Sequence, residues 1–173
     1  MKMIKGFLFV LIGFAVLITL VSLLMPSNVM TANTIMINAP KEKIAGLLAD
    51  LNEWKSWHPL FTDKNSGIEL SSPASGVNAS AKWSTNGKEN TLIIKESTPS
   101  GVRFSLKRTG ENEIMNMLNL NGIKDSSGIQ VEWVATSRLK WYPWEKFAGI
   151  FFDKVTGPGY KASLEALKEY AEK

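Results

Sequence analysis

Ile129-Gln130-Val131-Glu132-Trp133-Val134-Ala135 places Ile129, Val131, Trp133 and Ala135 on one side of an extended chain. About thirty residues later, Tyr160-Lys161-Ala162-Ser163-Leu164-Glu165-Ala166-Leu167-Lys168-Glu169-Tyr170-Ala171 changes the period: Tyr160, Leu164, Leu167 and Ala171 fall at i, i+4, i+7 and i+11. The first pattern is a strand with one covered and one wet face; the second is a helix with one apolar stripe. Each lacks a cover for its apolar side, and each can serve as the other's. That pairing decides the fold.

Working back toward the N-terminus, the strand pattern repeats. Val102-Arg103-Phe104-Ser105-Leu106-Lys107 puts Val102, Phe104 and Leu106 together, and Ala79-Ser80-Ala81-Lys82-Trp83 alternates in the same way. Ile114 to Leu120 reads as a further strand. Between the runs stand turn signals: Asn65-Ser66-Gly67, Ser75-Gly76, Asn86-Gly87, Pro99-Ser100-Gly101, Asn121-Gly122 and Ser126-Ser127-Gly128. Short strands separated by such turns predict an antiparallel meander. Ahead of it, Thr34-Ile35-Met36-Ile37-Asn38 predicts a first strand. Lys41 to Ala49 and Leu51 to Trp57 predict two short helices, the second capped by Asp50 and stopped by Pro59. From Pro143 the period is helical, with Phe147, Ile150 and Phe151 on one face and an interruption at Gly157-Pro158-Gly159. The fold class is therefore α+β: a curved antiparallel sheet of about seven strands around a long C-terminal helix.

The other deciding stretch runs from Gly6 to Met25 without a charge. Fourteen of its residues are Leu, Ile, Val or Phe. Twenty helical residues span about 30 Å, the thickness of a bilayer core. At about −0.4 kcal/mol each, the fourteen contribute on the order of −6 kcal/mol to insertion. A cleaved signal peptide would have a shorter apolar core and small residues before the cut. Pro26-Ser27-Asn28-Val29-Met30-Thr31-Ala32 puts bulky Met30 where a small residue is wanted. The organisation expected is an N-terminal transmembrane anchor over 1–26, a tether over 27–33 and one domain over 34–173. Lys2 and Lys5 precede the span, and the first basic residue after it is Lys41. The charge bias predicts a cytoplasmic N-terminus and a domain on the extracytoplasmic face, periplasmic or exterior.

Composition narrows the chemistry. Of 20 basic residues, Lys2 and Lys5 flank the span, leaving 18 against 16 acidic, a near balance. There is no basic cluster with interleaved aromatics, so nucleic acid is not an expected partner. The absence of cysteine excludes thiolate catalysis and cysteine-based metal sites. One histidine and no HExxH pattern exclude a histidine-rich metal centre, and no cofactor is expected.

The motifs together resemble the START-like, or SRPBCC, superfamily, in its polyketide cyclase/dehydrase and lipid-transport branch. Ile35-Met36-Ile37-Asn38-Ala39-Pro40-Lys41-Glu42-Lys43-Ile44 is similar to that family's first strand and helix. Asp50-Leu51-Asn52-Glu53-Trp54-Lys55-Ser56-Trp57-His58-Pro59 resembles its Asp, Trp and Trp-x-Pro segment. Gly76, Trp83 and Ile94-Lys95-Glu96-Ser97-Thr98-Pro99 resemble the central strands. Val131-Glu132-Trp133 looks like the last strand, and Ser163 to Glu172 like the closing helix. One departure is Lys88-Glu89, where relatives often carry a glycine-rich turn. The resemblance implies a helix-grip fold with an apolar cavity between sheet and helix. It implies binding of a lipid or other hydrophobic small molecule. It leaves open a cyclase/dehydrase-like or hydrolytic enzyme in the same cavity, or a sensor or interaction domain whose cavity is filled.

Within that frame Trp83, Phe104 and Trp133, with Ile94, Phe147 and Phe151, are the candidate ligand contacts. Each could equally be ordinary core, since aromatics bury large areas wherever they pack. Trp57 reads as a structural plug. His58, the only histidine, sits at a helix end, where capping and general-base roles are both open. Glu96 shares parity with Leu92 and Ile94, which would turn it inward, where burial would raise its pKa. The plainer reading is a strand-end charge in water. Glu132 points opposite Trp133, to the wet side. An enzyme would need Glu96, His58 or Lys82 inside the cavity.

Overall fold

A computed structural model describes residues 2–62, 67–123 and 128–173; the turn signals at Asn65-Ser66 and Ser126-Ser127 lie outside the described residues. Helix α1 (Lys2–Leu24) is followed by β1 (Asn28–Ile37), α2 (Lys41–Ala49), α3 (Leu51–Trp57) and α4 (Pro59–Thr62). Strands β2 (Glu69–Leu70), β3 (Ser80–Thr85), β4 (Lys88–Thr98), β5 (Gly101–Arg108), β6 (Ile114–Gly122) and β7 (Ile129–Arg138) come next. Helices α5 (Pro143–Gly149) and α6 (Phe152–Ala171) close the chain.

The seven strands form one antiparallel sheet in the order β1-β7-β6-β5-β4-β3-β2. Strands β2 to β7 are a meander, and β1 adds beside β7. The expected alternation sets the faces: Ala81, Trp83, Leu92, Ile94, Phe104, Leu118, Leu120, Val131, Trp133 and Ala135 are all buried. Helix α6 lies across this concave face with Leu164, Leu167 and Ala171 inward, as its stripe predicts. Helices α2 and α3 close one end through Ile44, Leu48, Leu51 and Trp54. Asp50 caps α3 by accepting the Asn52 N–H at 2.9 Å. This is the helix-grip architecture, preceded by one helix, Met3–Leu24, long and apolar enough to cross a membrane.

Two turns show why their residues stand there. Asn86 (φ 51°) and Gly87 (φ 74°) make the two-residue hairpin from β3 to β4 with both residues left-handed. Strand β4 then starts directly at Lys88, so the departure from the family turn leaves the hairpin intact. Gly101 has φ 148°, and a β-carbon there would sit 1.9 Å from the Leu118 carbonyl oxygen. Only glycine lets β5 approach β6 so closely.

Three local expectations change. The stretch expected as a tether, 27–33, is mostly strand: β1 begins at Asn28 and pairs with Arg138, continuing to Asn33 opposite Trp133. Its partner lies a hundred residues away, so no local pattern reveals the pairing. Only Met25, Pro26 and Ser27 separate α1 from the sheet. Gly157-Pro158-Gly159 does not interrupt the last helix; α6 runs through it, and the break falls at Ile150-Phe151. A helix-interior proline costs about 3 kcal/mol. Packing of α6 on β1 offsets it, with Gly157 close against Thr31, whose hydroxyl hydrogen-bonds Asp153. The third change concerns α5, whose apolar side chains face outward.

Candidate ligand-binding hollow

Between the concave face of the sheet, α6 and the α3–α4 corner lies a hollow of about 670 Å³. Strand alternation supplies Trp83, Leu92, Phe104, Leu106, Ile114, Asn116 and Trp133 from the sheet. The α3–α4 corner supplies Trp54, His58 and Phe61, and α6 supplies Val155, Thr156, Tyr160 and Ser163. Most of this lining is hydrocarbon and aromatic ring.

The aromatic rings form a connected wall. Trp54 meets Phe104 edge-on at 5.2 Å and Phe61 at 5.4 Å; Phe104 meets Trp133 at 6.0 Å, and Trp133 meets Tyr160 at 5.0 Å. Edge-to-face pairs at such separations use the positive ring edge against the negative face. Two of the three indoles that border the hollow donate their N–H groups within the protein: Trp54 Nε1 to the Leu48 carbonyl at 3.2 Å and Trp133 Nε1 to Asn116 Oδ1 at 3.0 Å. Trp57 is buried in the core away from the hollow, and its indole N–H lacks a partner.

His58 stacks on Trp54, with centroids 5.2 Å apart and planes 6° from parallel. Its Nδ1 accepts the Leu60 N–H at 3.2 Å, which caps α4. The ring proton therefore sits on Nε2. Desolvation lowers its pKa from 6.5 to about 4, opposed in smaller part by a hydrogen bond with its own backbone. At neutral pH it is an uncharged cap and wall. Burial pushes the Tyr160 hydroxyl up to about 12, so it too stays neutral.

The mouth is polar. Arg108 Nε donates to Asn90 Oδ1 at 2.8 Å, and Arg108 and Lys88 pair with Glu111 at 3.5 and 3.1 Å. Desolvation would raise the Glu111 pKa, but the Lys88 hydrogen bond and the two positive charges outweigh it and hold the carboxyl below its ordinary value. Asn112 on the same rim donates to Glu145 Oε2 of α5 at 2.8 Å.

Of the expected contacts, Trp83, Phe104 and Trp133 come together on this wall. Ile94 is fully buried on the same face but does not border the hollow. Phe147 and Phe151 are 38% and 56% exposed on the outer surface, because α5 packs against the end of α1. Glu96 takes the plainer of its two readings, a strand-end charge in water, and not the inward one. The ladder shifts register between Ile94 and Glu96, leaving Lys95 as an extra residue; Glu96 then pairs with exposed Arg103 at 3.2 Å in water. Lys82 is exposed on the convex face. Of the three groups an enzyme needed, only His58 borders the hollow, and among the described residues no carboxylate is hydrogen-bonded to it. Among the described residues, no group of three or more acidic or histidine side chains could hold a metal. Trp54, Phe61, Tyr160 and Asn116 also line the hollow and were not among the contacts expected from the sequence. Asn116 was legible as a polar residue at the inward parity of Leu118 and Leu120.

No protein-family model matches the sequence, and no curated protein matches it. Many solved structures share the fold. A START superfamily protein from Mycobacterium smegmatis superposes with TM-score 0.57 at 12% identity, covering 83% of this chain and 97% of that one. A Chromobacterium violaceum protein gives 0.60 at 14% identity over 84% and 99% of the two chains. The Aha1 dimer structure from Colwellia psychrerythraea gives 0.55 at 18% identity over 83% and 96%. Likeness at this identity shows the fold alone, the helix grip.

Proposed function

We propose that this chain is a membrane-tethered binding protein that holds one lipid or other hydrophobic small molecule in the hollow between the sheet and α6. In this reading α1 spans the bilayer with Lys2 and Lys5 on the cytoplasmic side and the domain on the other. The observation that carries it is the hollow itself. Its volume of about 670 Å³ lies well above the ~300 Å³ at which small-molecule pockets begin. A domain built only for interaction gains stability by filling such space. The greasy interior and the polar rim of Arg108, Asn90 and Asn112 suit an amphipathic molecule with its tail inward. Tethering beside a bilayer raises the effective concentration of such ligands.

Native mass spectrometry of the full chain released from detergent tests this. A stoichiometric apolar adduct is expected, and Leu106→Trp, which fills the hollow from β5, should abolish it while near-UV circular dichroism stays folded. A folded chain that carries no adduct and takes up no fluorescent fatty acid would defeat the reading.

A further inference from the structure

The surface beside the end of α1 carries an unusual load of exposed apolar side chains. Trp141, Trp144, Phe147, Ile150, Phe151 and Val155 are between 38% and 74% exposed. So many exposed apolar side chains within fifteen consecutive residues of a folded domain mark a contact site. Its place in the fold indicates what it contacts. Buried Lys146 on α5 donates to the Met25 carbonyl at 3.3 Å and to Ser27 Oγ at 2.6 Å, clasping the end of α1. Ser22, two residues inside α1, is fully buried where α1 meets the domain. Only three residues join α1 to β1, which allows about 10 Å of reach.

We infer that α5 and the start of α6 form a second membrane contact, seated in the interfacial layer of the bilayer that α1 crosses. The inference rests on the reading of α1 as a span. A helix end clasped by Lys146 puts α5 at the depth where the hydrocarbon core ends. Trp and Tyr favour that layer because a ring can lie in hydrocarbon while its N–H or O–H meets water. Tyr142, stacked on Trp144 at 4.9 Å, adds a third such ring. Exposed Lys140 and Lys154 flank the apolar residues and suit anionic headgroups. Val155 belongs to both the patch and the hollow, and Glu145 on α5 holds Asn112 on the hollow's rim. Docking therefore sets the mouth against the leaflet, so a ligand passes between bilayer and hollow without crossing open water.

The test uses the full chain in vesicles of phosphatidylcholine and phosphatidylglycerol with brominated acyl chains. Trp141 and Trp144 are two of six tryptophans, and the other four are buried in the domain. Bromolipid should quench the emission. Trp141→Phe with Trp144→Phe should cut the quenching at least twofold, and Ile150→Ser with Phe151→Ser should lower it with all tryptophans present. Resistance to alkaline carbonate extraction reads the span separately. A chain that resists extraction with Trp141 and Trp144 unquenched overturns the docking and leaves the anchor standing. A chain that is extracted yet quenched removes the span and overturns the inference as stated, leaving only a peripheral contact of α5 with the bilayer. Concentration-dependent self-association that shields these tryptophans from bromine overturns the inference in favour of a contact between copies.

Discussion

His58 is the only histidine in the chain, so one imidazole signal reports the state of the hollow. The perturbation is the proton. Unfolded, the ring takes a proton below about 6.5; folded, it refuses one until about 4. Between those values the unfolded chain binds more protons, so stability is complete above the upper value and is lost as pH falls toward the lower. From pH 7.5 to pH 5, this one group costs the folded state about 2 kcal/mol. Two assays check it. The imidazole C–H resonance of the folded chain should stay in its neutral position down to pH 5. Urea unfolding of the domain should weaken by about 2 kcal/mol over the same interval. His58→Asn keeps a side chain able to cap Leu60, and it should flatten the pH dependence even if baseline stability falls. An NMR midpoint near 6.5 would refute the reasoning, because it would mean the ring is hydrated and the α3–α4 corner does not seal the hollow.

Trp133→Phe should cost about 1–3 kcal/mol in urea unfolding, because it leaves buried Asn116 Oδ1 without its 3.0 Å donor. Adding Asn116→Leu should recover part of that loss. Gly101→Ala should lower Tm by roughly 5–15 °C, since its methyl would meet the Leu118 carbonyl at 1.9 Å. Lys146→Met strips the donor from Met25 O and Ser27 Oγ. Hydrogen exchange through α5 should then quicken about tenfold while that of the β5–β6 core stays unchanged.

The sheet and its covering helix were legible because their signals are local. Val102, Phe104 and Leu106 alternate within six residues, and Leu164, Leu167 and Ala171 recur at helical spacing within eight. Solvent on one side and core on the other impose those periods on any chain that forms these elements. The apolar run of α1 follows from composition alone in the same way. Trp83, Phe104 and Trp133 were legible as inward residues for the same reason, but whether inward means filled core or hollow wall depends on how far α6 stands from the sheet.

What tertiary structure alone decided are events between distant segments. Glu96 lost its inward parity because one extra residue, Lys95, enters the ladder with β5, and parity counting cannot see an insertion that exists only relative to a partner strand. Residues 28–33 became strand because β7 is long enough to pair with them. The Gly157-Pro158-Gly159 break disappeared because packing on β1 outweighs a local helix penalty. Phe147 and Phe151 face outward because Lys146 ties α5 to the end of α1. Nearest-neighbour chemistry determines which side of an element is greasy; only the assembled elements determine what that side meets.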